Sequence, residues 1–189
     1  LPEEFVDVFE KSGLISAMDQ YVWELACKEL QRWKAQGKEQ YYISVNVSPK
    51  DFYFLDIYTT LTTLVECYEI NPDKLHLEIT ETSVMKDATK HLELIDKLRQ
   101  YGFHVVMDDF GRGYSSLNML QDMNLDAIKI DMEFLRRNED PERSRMILEM
   151  VLNLAKELDI HVVTEGVEQK DQLQYMRELG CTLFQGYYF

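Results

Sequence analysis

The sequence predicts an α/β fold built from parallel β/α units, and two observations point to it. Short β-rich runs alternate with segments of helical periodicity along the whole chain, which is the order typical of parallel β/α units. Polar residues also fall near the C-terminal end of each of the six predicted strands. We expect a TIM-type β/α barrel that lacks its first elements, since eight strands are usual. A doubly wound open sheet is the alternative.

Each element is predicted from its apolar spacing and from the turn residues that bound it. Helices are predicted over 2–12, 17–36, 53–69, 87–101, 115–123, 142–158 and 169–179. Strands are predicted over 41–47, 75–80, 103–109, 127–131, 160–165 and 182–189. The clearest strand is 75–80, where Leu75, Leu77 and Ile79 alternate with polar residues. Gly37 and Gly102 are typical helix ends.

Composition excludes several classes of function. A net charge of −14 argues against binding to DNA or RNA polymers, which requires clustered Lys and Arg. No apolar run approaches the roughly 18 residues of a membrane span, and no signal peptide is visible. The three cysteines match neither a zinc spacing nor a disulfide framework. These observations predict a cytoplasmic domain, and membrane attachment of a longer parent protein stays open.

The two ends of the chain predict that it belongs to a larger protein. It opens with Leu1-Pro2 rather than Met and stops within the apolar run 187–189. We therefore expect a single domain over residues 1–189, incomplete at both ends.

The polar residues at the strand ends predict a metal site. They are Asn46, Glu78, Asp108, Asp109, Lys129, Glu165 and Gln185. In a β/α barrel these ends line one face, where active sites lie. Burying several carboxylates together requires cations, and oxygen ligands favour Mg²⁺ or Mn²⁺. Two adjacent carboxylates suit a two-metal hydrolytic site, in which Lys129 would orient the attacking hydroxide and Asp131 would neutralise Lys129.

Each of these residues also has an ordinary structural explanation. Asn46 precedes Ser-Pro and suits a strand-end turn, Asp108-Asp109-Phe110-Gly111 suits a turn with a helix cap, and Lys129 suits a salt bridge. The same polar pattern at the end of all six strands favours a shared site. The four histidines occupy scattered contexts and are interpreted as surface or satisfied residues.

Six segments along the chain carry the polar strand-end residues. In order they are Ser44-Val45-Asn46-Val47-Ser48, Leu77-Glu78-Ile79-Thr80-Glu81-Thr82, Asp108-Asp109-Phe110-Gly111, Lys129-Ile130-Asp131, Glu165-Gly166-Val167-Glu168 and Gln185-Gly186-Tyr187. These segments resemble, in the same order, the motifs of the bacterial EAL domain family. The resemblance covers essentially the whole chain. It implies a modified β/α barrel that hydrolyses cyclic di-GMP to linear pGpG with Mg²⁺ or Mn²⁺, in bacterial second-messenger signalling.

The resemblance also implies a ligand set for two metal ions. Asn46, Glu78 and Asp108 would bind one ion, and Asp108, Asp109 and Glu165 would bind the other. The oxygen donors found from the strand ends are the same residues.

Further roles follow from the same resemblance. The catalytic set would be Lys129, Asp108 and Asp109, and Lys129 would contact the nucleophilic water. Gln185 and Glu168 would help to form the substrate pocket. Glu81 would steady the loop that follows Asp109, and the resemblance implies a homodimer and flanking sensory or GGDEF-type domains.

Two departures from the family pattern bear on activity. The glutamate of the Glu-Ala-Leu motif, a metal ligand, would precede Leu1 together with the first two strands. We therefore expect little activity from these 189 residues alone. Arg112 stands where the family usually has a small residue, so it either perturbs the loop or contacts a phosphate or a dimer partner.

Three hypotheses of function follow. The main one is a cyclic di-GMP phosphodiesterase, and the second is a catalytically impaired EAL domain that acts as a cyclic di-GMP receptor, which Arg112 favours. The third is a barrel lyase that uses Lys129 as a Schiff-base amine, which the surrounding carboxylates disfavour because they keep the amine charged.

Overall fold

The structure, a computed structural model, describes residues 2–85, 87–111, 123–131 and 141–189. The backbone forms two compact units, residues 1–105 and 106–189. Each unit is an arrangement of parallel strands and helices, and strand β3 (His104–Asp108) runs across the boundary between them.

The first unit contains six helices and two complete strands within its described residues. In chain order they are α1 (Pro2–Ser12), α2 (Ile15–Ala35), β1 (Ile43–Val47), α3 (Asp51–Phe54), α4 (Ile57–Cys67), β2 (Leu75–Thr80), α5 (Glu81–Met85) and α6 (Ala88–Tyr101). A short 3₁₀ turn over Pro72–Lys74 leads into β2. Strands β1 and β2 pair in parallel.

The core of the first unit forms on one face of its two strands. Val45 and Val47 of β1 are buried, as are Leu77 and Ile79 of β2. Helix α2 packs against β1 and also against α4, and Trp23 of α2 is fully buried. Because side chains alternate between the faces of a strand, the polar residues between these apolar ones point away from this core.

The second unit continues the same pattern. Its elements after β3 are β4 (Ala127–Asp131), α7 (Pro141–Glu157), β5 (His161–Glu165), α8 (Lys170–Glu178) and β6 (Leu183–Phe184). The strands pair in parallel in chain order, β3 with β4, β4 with β5 and β5 with β6. Ile128, Leu148 and Met176 are fully buried in this unit. The C-terminal ends of these strands therefore lie at one edge.

Two predicted elements are wrong in extent. The single helix predicted over 53–69 is two helices, because Leu55 has extended backbone angles (φ −121°, ψ 148°). Asp56 then caps α4, since its carboxylate accepts the backbone N–H of Thr59 at 3.1 Å. The last strand covers Leu183–Phe184 and not 182–189. The predicted helix over 115–123 falls almost entirely outside the described residues.

The fold class predicted from the sequence is confirmed as α/β with parallel strands. Helix α5, which follows β2 directly, was not predicted. All three cysteines are free thiols, as their spacing predicted. Within the described part of the chain, no helix combines the length and the apolar character needed to cross a membrane.

Candidate functional site

Asn46 and Glu78 lie side by side in the first unit. They are register partners on the paired strands β1 and β2, on the face opposite the apolar core. The side chain of Asn46 is exposed and that of Glu78 is half-buried. The indole Nε1–H of Trp23 donates to the backbone carbonyl of Asn46 at 2.9 Å, so helix α2 holds this point of the strand. The two strand-end residues therefore lie on neighbouring strands, and their role as metal ligands stays a prediction.

Lys129 is the centre of a charged cluster in the second unit. It lies in β4 with 5% of its surface exposed. Its Nζ atom is 2.7 Å from Oε1 of Glu165 in β5 and 3.6 Å from Oδ1 of Asp108 in β3. The first distance is a charge-assisted hydrogen bond and the second an ion pair. Three adjacent parallel strands thus bring these three side chains together.

The turn after Asp108 has an unusual backbone conformation. Asp109 has a φ of 56°, in the left-handed region that non-glycine residues seldom adopt. Its backbone N–H donates to Oδ1 of Asp108 at 2.8 Å, and the N–H of the next residue, Phe110, donates to the carbonyl of Lys129 at 3.1 Å. Phe110 is buried and anchors the turn. The Asp108 carboxylate is therefore held by its own chain and by the ammonium.

The residues after Glu165 form a backbone clamp with the C-terminal segment. The backbone N–H of Gln185 donates to the carbonyl oxygen of Thr164 at 2.8 Å, and the N–H of Val167 donates to the carbonyl oxygen of Gln185 at 3.2 Å. The N–H of Tyr188 donates in turn to the carbonyl oxygen of Val167 at 3.0 Å. Gln185 and Glu168 are both exposed. The backbone hydrogen bonds of Gln185 therefore hold it beside the end of β5. The substrate contacts expected of the side chains of Gln185 and Glu168 stay predictions.

Gly186 permits this clamp because a side chain has no room there. A Cβ atom at Gly186 would lie 2.1 Å from the carbonyl oxygen of Val167. Gly186→Ala is therefore expected to lower the free energy of unfolding by about 1–3 kcal/mol and to speed hydrogen exchange at the amides of Val167 and Tyr188. Urea denaturation and amide exchange measured by NMR check this.

Gly180→Ala is the control for that prediction. Gly180 also has a positive φ, 96°, but no atom lies within 4 Å of its added Cβ. This variant should lose about 1 kcal/mol through backbone strain and leave exchange at Val167 unchanged. Equal exchange rates in Gly186→Ala and the wild type would contradict the clamp.

Glu81 is a buried acidic residue next to β2. It is the first residue of α5, immediately after β2, and 3% of its surface is exposed. The loop that Glu81 is expected to steady, and Arg112 within it, lie outside the described residues. The role of Glu81 therefore stays a prediction.

The cluster in the second unit is suited to a cation. Among the described residues of that unit, no three carboxylate, imidazole or thiol groups converge, and the cation that Asp108 and Glu165 contact is the Lys129 ammonium. Both carboxylates are partly exposed, so a dissolved ion can reach them. The nearby donors are oxygen atoms, which Mg²⁺ and Mn²⁺ prefer. The type of donor atom is the one that the expected ions prefer, and metal binding at these residues stays a prediction.

Two supporting residues were missed from the sequence. Trp23 was not singled out within the helix predicted over 17–36, and Gly186 was named only as part of a motif. No local signal marks the Trp23 contact, because its partner Asn46 is 23 positions away along the chain. The closeness of Gly186 to Val167 likewise depends on how the C-terminal segment folds back.

Comparison with known proteins agrees with this architecture. The model of the EAL domain family matches residues 1–189. The chain is 35% identical over 189 residues to the probable cyclic di-GMP phosphodiesterase PdeG of Escherichia coli, covering all of this chain and 37% of that protein. It is 32% identical over 188 residues to the cyclic di-GMP phosphodiesterase NbdA of Pseudomonas aeruginosa, covering all of this chain and 24% of that protein.

A solved structure shows the same fold. The cyclic di-GMP complex of the PaMucR phosphodiesterase superposes with a TM-score of 0.91 at 30% identity, covering 99% of this chain and 76% of that one. The chain spans between about a quarter and somewhat over a third of the length of the two curated relatives. With a family match over its full length, the chain belongs to the EAL domain family.

Proposed function

We propose that this chain is the catalytic domain of a phosphodiesterase that hydrolyses cyclic di-GMP to linear pGpG with Mg²⁺ or Mn²⁺. The names of the two curated relatives support the substrate. The observation that carries the proposal is the buried Lys129, held between the carboxylates of Asp108 and Glu165. A cation and two acidic groups at adjoining strand ends suit chemistry at a phosphate ester.

The proposed metal ligands are the strand-end oxygen donors. Asn46, Glu78 and Asp108 would hold one ion, and Asp108, Asp109 and Glu165 the other. Bound ions of this kind lower the pKa of water and polarise phosphoryl oxygens. Asp108 and Asp109 are successive residues of one turn, in which Asp109 has a positive φ.

The residues of the chain itself would position the reactants. The Lys129 ammonium has three N–H donors and reaches two carboxylates, so it can also hold a water or hydroxide beside them. Its burial limits it to this one location and excludes most solvent. An ammonium that donates to one carboxylate and forms an ion pair with a second has no lone pair for a carbonyl carbon, which argues against a Schiff-base lyase.

The proposal extends to the setting of the domain. We propose a homodimer in the cytoplasm, with sensory or GGDEF-type domains elsewhere in the protein. Support for further domains comes from the relatives, which are several times longer than this chain. The second candidate is a catalytically impaired domain that acts as a cyclic di-GMP receptor. It is favoured by Arg112, which stands where the family usually has a small residue.

Hydrolysis of cyclic di-GMP by the full-length protein tests this proposal. We expect pGpG to form with Mg²⁺ or Mn²⁺ and not with EDTA. Asp108→Asn should lower kcat on the order of 100-fold or more, because the carboxylate is lost as a ligand. The matched control is Asp159→Asn, which makes the same change at an exposed aspartate of the same unit and should leave kcat unchanged.

Two other outcomes would overturn the proposal. Tight binding of cyclic di-GMP without turnover would favour the receptor and direct attention to Arg112. If the protein neither binds nor hydrolyses cyclic di-GMP, its membership of the family describes only its fold. Assays of the 189-residue chain beside the full-length protein would test whether the chain alone is nearly inactive.

A further inference from the structure

Two aspartates that the proposed chemistry does not use are buried together in the first unit. Asp19 in α2 has 6% of its surface exposed, and Asp51 at the start of α3 has none. A buried aspartate is ordinarily paired with a cation or surrounded by donors. Among the described residues, neither of these two forms an ion pair, and Oδ2 of Asp19 and Oδ1 of Asp51 have no ordinary hydrogen-bond donor.

Two hydrogen bonds near Asn46 bring the two carboxyl groups into the same neighbourhood. Asp19 lies one helical turn before Trp23, which donates to the carbonyl of Asn46, and Oδ2 of Asp51 accepts the backbone N–H of Ser48, two residues after Asn46, at 2.8 Å. Two ionised carboxylates repel each other because no proton lies between them to form a hydrogen bond. Close approach of Asp19 and Asp51 in a buried place therefore requires that the pair carry one proton. Burial first, and then the negative charge of Asp51, raise the pKa of Asp19 to about 7.

The pair joins two segments that both bear on strand β1. Asp19 lies one helical turn before Trp23, whose indole holds the carbonyl of Asn46. Asp51 and Ser48 belong to the turn that begins directly after β1. We propose that Asp19 and Asp51 share a single proton, and that this proton fastens helix α2 to the turn that follows β1.

Loss of the proton would place two negative charges in the same buried space. The turn, which begins two residues after Asn46, would then separate from α2. The pair is therefore a pH-sensitive latch that is closed below neutral pH. Its effect on metal binding at Asn46 rests on the proposed function, but the latch itself does not.

The other charged groups around Asp19 do not replace the proton. From α1, Glu10 adds a further negative charge, which also raises the pKa of Asp19. The neighbouring side chain of Ser48 lowers the pKa of Asp19 and so acts in the opposite direction. Lys50 donates instead to the backbone carbonyl of Glu10. On α4, which also packs against α2, the carboxylate of Glu66 accepts the hydroxyl of Tyr101.

The sign of the pH dependence follows from the raised pKa. An unfolded aspartate has a pKa near 3.8, and the folded Asp19 near 7. The folded chain binds the extra proton between these values, so this group's contribution to stability falls as the pH rises from about 4 to about 7. Above that range the contribution is constant.

Asp19→Asn tests the latch through stability. The amide donates to Asp51 at every pH and so imitates the protonated acid. We expect the urea midpoint of this variant to exceed that of the wild type at pH 8, with a much smaller difference at pH 5. Glu39→Gln, which removes a charge from an exposed position of the same unit, should give a difference that does not vary with pH.

Carboxyl ¹³C NMR of the wild type gives a second readout that does not depend on the variant's folding. One aspartate signal should titrate near pH 7, and no aspartate signal should do so in Asp19→Asn or Asp51→Asn. Absence of any aspartate titration between about pH 6 and 8 would overturn the proposal, as would a pH-independent effect of Asp19→Asn. Neither readout involves hydrolysis, so failure of the latch and failure of the phosphodiesterase proposal are distinguishable.

Discussion

Lys129→Met is expected to lower kcat for cyclic di-GMP about 10²–10³-fold while changing KM little. The ammonium is the donor that contacts both Asp108 and Glu165, and it is proposed to hold the attacking water. Methionine keeps the length and the apolar stem of lysine but donates no hydrogen bond.

Steady-state kinetics and a binding measurement with the substrate separate the possible outcomes. A loss in kcat with unchanged affinity supports a role in the chemical step. Lys156→Met changes an exposed lysine of the same unit and should leave both constants unchanged. Full kcat in Lys129→Met would remove Lys129 from the proposed chemistry, and a fall in affinity alone would make it a substrate-binding residue.

Trp23→Ala is expected to lower the free energy of unfolding by about 3–5 kcal/mol. Trp23 is fully buried in α2, and its indole N–H also donates to the carbonyl of Asn46 at 2.9 Å. The substitution removes a large buried ring and leaves that carbonyl without this donor. A loss of this size is a large fraction of the 5–15 kcal/mol that typically stabilises a protein.

Urea denaturation of three variants separates packing from hydrogen bonding. Trp23→Phe keeps most of the buried ring and loses the N–H, so its loss in free energy of unfolding should be smaller than that of Trp23→Ala. The loss that Trp23→Phe still shows reports on the hydrogen bond to the carbonyl of Asn46. Val22→Ala shortens a partly exposed neighbour in the same helix and should change stability by no more than about 0.5 kcal/mol. A loss below 1 kcal/mol in Trp23→Ala would contradict the packing described for α2.

Much of the fold could be predicted from local pattern. Strand 75–80 was predicted with its observed bounds, because Leu75, Leu77 and Ile79 alternate with polar residues and fill one face. The end of α6 was also predicted correctly, from the glycine that follows its helical pattern. In the structure Gly102 caps the helix with a positive φ of 120°. The break at Leu55 was not, because 53–69 keeps its helical spacing across the break.

The candidate site was predicted as a set of residues, and its contacts were not. The strand-end rule selected Asp108, Lys129 and Glu165 because each follows an aliphatic run. Which of the acids Lys129 meets depends on the pairing of β3, β4 and β5, and that pairing joins residues more than 20 positions apart. The metal ions, the product and the homodimer stay predictions.

The sequence by itself determined the order of the elements, the polar ends of the strands and the family, because periodicity, turn residues and motifs are local properties. Tertiary structure alone decided that Asp19 meets Asp51 and that Trp23 reaches Asn46. These contacts form because helix α2 packs across the start of the sheet, and buried polar groups must then find partners among whatever residues the packing brings near.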